Sequence, residues 1–77
     1  MPHVDSVPVG SLWSARRVVP YLNGERMHTG DTFVVLENET ASDGYHIVSR
    51  ILTAAGTTHL LDASWFYNVS HPVERLS

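Results

Sequence analysis

Apolar and polar residues alternate with a period of two over most of this chain, and no stretch sustains the spacing of an amphipathic helix. Five segments carry the alternation. Arg16 to Leu22 is the first predicted strand, with Val18, Pro20 and Leu22 on one side and Arg17, Val19 and Tyr21 on the other. Pro20 has no amide hydrogen to give to a ladder, so this strand belongs at a sheet edge or bends there. Asp31 to Glu37 is the clearest strand. Phe33 and Val35 face one way, Val34 and Leu36 the other, and apolar residues on both faces predict cover on both. Tyr45 to Leu52 and Thr57 to Leu61 are the third and fourth strands. They are joined through Thr53-Ala54-Ala55-Gly56 as a tight hairpin with glycine in the left-handed position. Tyr67 to Val73 is the fifth, interrupted by Pro72.

Local signals punctuate the strands. Asn23-Gly24 is a turn pair, because both residues tolerate positive φ. Asn38 to Gly44 is a polar loop ending in Asp43-Gly44. The run Asp62 to Phe66 breaks the alternation. Asp62 is a good cap for one helical turn, predicted to be 3₁₀, since its carboxylate accepts from the free amides that follow. Residues 1–12, with Pro2 and Pro8, read as a flexible arm whose last residue and Trp13 dock on the domain. The domain itself runs from 13 to 73, and 74–77 read as a frayed tail. The sum is an all-β fold, a small five-stranded barrel with one 3₁₀ turn before the last strand.

Three stretches occur in a telling order. Met27-His28-Thr29-Gly30-Asp31-Thr32-Phe33-Val34-Val35 closes a loop into a strand, Tyr45-His46-Ile47-Val48 leads through a hairpin to Gly56, and Ala63-Ser64-Trp65-Phe66 makes the turn. This succession, over about residues 15 to 70, resembles the small SH3-like barrel proteins of phage and prophage genomes. Two positions depart from the pattern: Asp31 stands where those chains carry Lys, and Phe33 where they carry Tyr. The resemblance implies an SH3-like barrel. Members with known roles include protein-binding modules and phage inhibitors of host machinery, so fold alone does not settle the activity.

Seventy-seven residues make one domain at most. The chain has no cysteine, which removes disulfides, thiolate metal sites and a Cys nucleophile. It has no apolar run long enough for a membrane helix and no signal-peptide pattern in its first ten residues, so the expected compartment is the cytoplasm. Five arginines, no lysine and a net charge of −3 disfavour a nucleic-acid backbone as partner.

The five histidines show no helical ligand spacing. His46, His59 and Asp62 carry the donor types of a zinc set, but the expectation is solvent-facing rings, with no metal or cofactor. Glu37, Glu39 and Asp43 are expected on an exposed acidic loop, solvated rather than catalytic, and no nucleophile-elbow or phosphate-loop motif is present. Period-two logic places Phe33 and Phe66 inside and sends Trp65 and Tyr67 outward beside Tyr21, the alternative being that Trp65 packs under the Arg26–Gly30 loop or the N-terminal arm. Exposed aromatic rings supply large rigid contacts, so Trp65, Tyr67, Tyr21, Glu37, Glu39 and Asp43 form the expected contact surface. The expected function is that of a non-enzymatic protein-binding module, monomeric or weakly self-associating, acting on a bacterial host protein. The alternatives are a nucleic-acid-binding barrel using Tyr21, Trp65 and Arg50 as a stacking platform, or a structural virion-type subunit.

Overall fold

Seven short strands and one 3₁₀ turn follow one another in the computed structural model, which describes residues 7–77. The first six residues of the predicted arm, His3 included, lie outside the described residues. Strands β1 (Leu12–Ala15), β4 (Thr32–Thr40), β5 (Ile47–Thr53), β6 (Thr58–Asp62) and β7 (Val73–Arg75) form one antiparallel sheet in the order β6-β5-β4-β1-β7. Strands β2 (Val19–Pro20) and β3 (Arg26–Met27) form a second, two-stranded sheet. The large sheet is not closed on itself. The all-β class is therefore as expected, with a radius of gyration of 11.6 Å, against about 11.5 Å for a folded chain of this length.

The hairpin between β5 and β6 forms as its sequence predicts. Gly56 takes φ +86°, and the Thr53 amide donates to the Thr57 carbonyl at 2.9 Å. Asp62 caps the 3₁₀ turn Ala63–Tyr67, accepting from the Ser64 amide at 2.9 Å. Both features are decided within a few residues, which is why local chemistry suffices for them.

The ends of the chain differ from expectation. The first strand of the main sheet is Leu12–Ala15, upstream of the predicted Arg16–Leu22. Asn23-Gly24 folds that predicted strand back on itself: the Tyr21 amide donates to the Glu25 carbonyl at 2.7 Å, and Val19 pairs with Met27. At the other end, Asn68 Oδ1 accepts from the Ser70 amide at 2.9 Å and Pro72 supplies no donor. This turn delays the last strand to Val73–Arg75. The expected frayed tail instead pairs with β1, the Leu76 amide donating to the Leu12 carbonyl at 2.7 Å. The described part of the expected arm, residues 7–11, is docked as well. Val7 is buried, and the Gly10 amide donates to the Val35 carbonyl at 2.7 Å.

The core sits on one side of the curved large sheet. Phe33, Val35, Ile51, Leu61 and Phe66 are buried together with Val7, Val19, Tyr21, Met27 and Val73. Trp13 packs edge-on against Phe66 with ring centroids 4.7 Å apart, and Phe33 meets the same ring at 6.0 Å. The other side of the sheet is not covered as predicted. Leu12, Val34 and Leu52 are direct cross-strand neighbours there, Leu52 is exposed, and so is Leu36. A bulge between Val35 and Glu37 turns both Leu36 and Glu37 to this outer face and returns Asn38 inward.

Candidate functional site

The six residues expected to make a contact surface do not share one place. Tyr21 is only 8% exposed. Its ring lies flat against His59, centroids 3.9 Å apart and planes 5° from parallel. The outward placement of Tyr21 is therefore corrected: it belongs to the face of the β2–β3 hairpin that packs on β6. Trp65 is half-buried and packs against the core rather than projecting freely. Tyr67, at the end of the 3₁₀ turn, remains 43% exposed.

The acidic residues are likewise divided. Glu37 and Glu39 lie on β4, not on a loop, because the strand runs on to Thr40. Both face Arg50 on β5, whose Nε donates to Glu37 at 2.9 Å and whose Nη2 donates to Glu39 at 3.1 Å. These are solvent-exposed pairs, worth about 0–1 kcal/mol each. Arg50 is thereby engaged, and the stacking platform of Tyr21, Trp65 and Arg50 is dispersed over a buried ring, a half-buried ring and a paired guanidinium. Among the described residues no three His, Asp or Glu side chains converge as metal ligands. His59 stacks on Tyr21, whereas His46 bonds Asp43.

Asp43 holds the loop that follows β4. Its Oδ1 accepts from the amides of Tyr45 at 2.8 Å and His46 at 3.2 Å, and its Oδ2 meets His46 Nδ1 at 2.5 Å. The result is a fixed turn that presents Tyr45 at its tip, 91% exposed. The sequence pattern placed Tyr45 at the start of a strand. Strand pairing begins only at Ile47, because Asp43-Gly44 and its side-chain bonds extend the turn by two residues. A shallow recess of about 170 Å³ runs from Tyr45, His46 and Ile47 to Asp62, Ser64 and Tyr67. Two exposed tyrosines thus flank a recess carrying a carboxylate, with Asp43 bracing one wall.

The bonds that brace this loop make it sensitive to pH. The backbone amide of Tyr45, then the His46 ring, hold the Asp43 carboxyl below its ordinary 3.8. Bonding to Asp43 holds His46 above 6.5. The Asp43 contribution is present above its ordinary value and is lost as pH falls through the lowered one. The His46 contribution is complete below 6.5 and is lost as pH rises through the raised value. The loop is therefore held most firmly between those limits. A proton NMR titration of the His46 ring should give a midpoint above 6.5 that drops in Asp43→Asn. A midpoint that ignores the substitution would remove the pair.

A second, larger recess of about 330 Å³ opens between the β2–β3 hairpin and the Thr53–Thr57 turn. Tyr21, Glu25 and Asp31 line it with Ala54, Ala55 and His59. The sequence pattern had no signal for this recess. The two segments are separated by more than twenty residues and are brought together by the Tyr21–His59 stack and by the Leu22 amide, which donates to the Leu60 carbonyl at 3.0 Å.

No helix among the described residues is long and apolar enough to cross a membrane. No family model, curated protein or solved structure matches this chain.

Proposed function

We propose that this chain is a non-catalytic protein-binding module of SH3-like type. The element order supports the fold reading. A strand, a long loop containing its own small hairpin, a long strand, a polar turn, two strands joined by a tight hairpin turn, a 3₁₀ turn and a short closing strand follow in the succession that the resemblance implies. By the same resemblance we read it as a phage or prophage protein that acts on a bacterial host protein; the cytoplasm and a monomeric or weakly self-associating state complete the proposal.

The contact face is the recess between Tyr45 and Tyr67, with Asp43 and Asp62 supplying negative charge around it. The observation that carries this reading is Tyr45: a large aromatic side chain 91% exposed at the tip of a turn fixed by three bonds to Asp43. A rigid, exposed tyrosine loses little freedom on binding, which is what makes such residues effective anchors. Asp43 is exposed and bonded to the His46 ring, and Asp62 accepts from the Ser64 amide, roles that suit electrostatic steering better than proton transfer.

A randomised displayed-peptide library selected against the chain tests this. Peptides recovered should lose about tenfold or more in affinity for both Tyr45→Ala and Tyr67→Ala, the loss typical of an aromatic anchor. The circular dichroism of Tyr45→Ala should stay that of the parent. Peptides that bind both variants unchanged would overturn the assignment of this face, and failure to enrich any peptide would overturn the module reading.

A further inference from the structure

We infer that the recess between the β2–β3 hairpin and the Thr53–Thr57 turn is a pocket for the cationic side chain, arginine or lysine, of a partner protein. The partner is taken from the reading above, but the pocket is argued from its own residues.

Its walls are preformed. On one side the Tyr21 amide is bonded to the Glu25 carbonyl, and the His28 amide to Asp31 Oδ2 at 2.8 Å. On the other side Ala54 is tied to Thr32, its amide donating to the Thr32 carbonyl at 3.2 Å. Ordering costs are therefore already met by the fold, which favours binding. The volume of about 330 Å³ lies at the lower end of the range for ligand pockets, roughly 300–1,000 Å³.

The chemistry selects a cation with an aliphatic stem. Glu25 and Asp31 both line the recess. Unlike Glu37, Glu39 and Asp43, neither forms an ion pair among the described residues. One oxygen of Asp31 holds the His28 amide, leaving the other for a ligand. Both carboxylates lie near enough to Tyr21 to add to the effect of burial in raising its hydroxyl's pKa. The methyl groups of Ala54 and Ala55 and the ring of Tyr21 supply apolar walls for a methylene chain. A separate feature of the same wall is the His59 ring. Its Nε2 is shared with the Thr57 hydroxyl at 3.2 Å, and its Nδ1 is buried with no hydrogen-bond partner among the described residues. A buried ring nitrogen without a partner is costly, and the wall on which it lies is fixed instead by the Thr57 bond and the Tyr21 stack. Arg26 lies at the same recess and opposes a cation. Two carboxylates against one guanidinium still leave the site negative.

The test is an amide NMR titration of the intact chain with three capped amino acids: N-acetyl-arginine, N-acetyl-lysine and N-acetyl-norleucine methylamides. Saturable shifts at Ala54, Ala55, Thr57 and His59 with arginine, lysine or both, and none with norleucine, are expected, and they identify which cation is taken. Glu25→Gln and Asp31→Asn should each weaken the response about threefold, as loss of one partly exposed charge partner does, and added salt should weaken it too. Arg26→Gln should strengthen it. Glu25 is exposed, so its variant tests the site even if Asp31→Asn disturbs the turn. Absence of saturable shifts with either cation, an equal response to norleucine, or indifference to Glu25→Gln would overturn the inference. Because the probes do not involve Tyr45 or Tyr67, such a failure is distinct from failure of the peptide selection.

Discussion

Phe33→Ala is expected to remove about 3–5 kcal/mol of stability, the characteristic cost of truncating a buried phenylalanine. The whole chain should hold only about 4–11 kcal/mol, so the variant sits at or near the point of unfolding. The full cost applies here because the site cannot collapse. Phe33 is 2% exposed, and its backbone is paired on both sides, with Trp13 on β1 and Thr53 on β5. Neither neighbour can move in without breaking a ladder. The ring also meets Phe66 edge-on, so its loss leaves Phe66 and, through it, Trp13 without part of their packing. Thermal unfolding followed by circular dichroism should show the midpoint falling by roughly 15–30 °C, at several degrees per kcal/mol for a domain of this size. Leu36→Ala, on the exposed face of the same strand, is the control and should cost under about 1 kcal/mol. If the two variants unfold alike, the core is not where the aromatic rings place it.

Asn38→Ala should be the most damaging change at a polar position, at about 2–3 kcal/mol. Asn38 works as a piece of backbone. Its Nδ2 donates to the Val7 carbonyl at 2.7 Å, and its Oδ1 accepts from the Val7 amide at 3.2 Å. The same Oδ1 accepts from the Ser49 hydroxyl at 2.8 Å. Ser49 is 0% exposed, so removing Asn38 leaves a buried hydroxyl without that partner and frees the peptide groups of a buried Val7. The asymmetry is the test. Ser49→Ala removes one bond and leaves the Val7 clamp intact, so it should cost about 1 kcal/mol or less. In the double variant Asn38→Ala/Ser49→Ala the stranded hydroxyl is gone, so the combined loss should fall short of the sum. Hydrogen exchange should quicken at the Val7 and Gly10 amides in Asn38→Ala and not in Ser49→Ala. Strict additivity, or unchanged exchange at Val7, would show that the clamp is not energetically coupled.

These two positions also show how differently core and site were written in the chain. Phe33 is legible because the alternation around it is strong and its neighbours are β-formers, so its strand forms in almost any context. Asn38 is not, because it falls in a polar run that reads as a loop. Only the bulge after Val35 turns it inward to meet Ser49 and Val7. Tyr45 and Tyr21 show the same division at the candidate sites. Both are tyrosines in β-rich stretches. Asp43 withholds one from the sheet and leaves it in solvent, whereas the fold-back at Asn23-Gly24 lays the other on His59.

What the amino-acid order determined by itself was everything settled between near neighbours: the all-β class, the β5–β6 hairpin with its left-handed Gly56, the Asp62 cap and the inward Phe33 and Phe66. Side-chain alternation, turn chemistry and capping act over a few residues, and no distant segment is needed to complete them. The tertiary structure alone decided that Leu12–Ala15 would be a strand, that residues 76–77 would be pinned to it and that Val7 and Gly10 would be pinned to β4. It also decided which tyrosine would meet solvent and where two carboxylates would stand unpaired beside a ring stack. Apart from the exposure of Tyr45, which Asp43 sets locally, each of these depends on a partner distant in the chain, and such a contact forms only when the rest of the chain has already brought the two segments together.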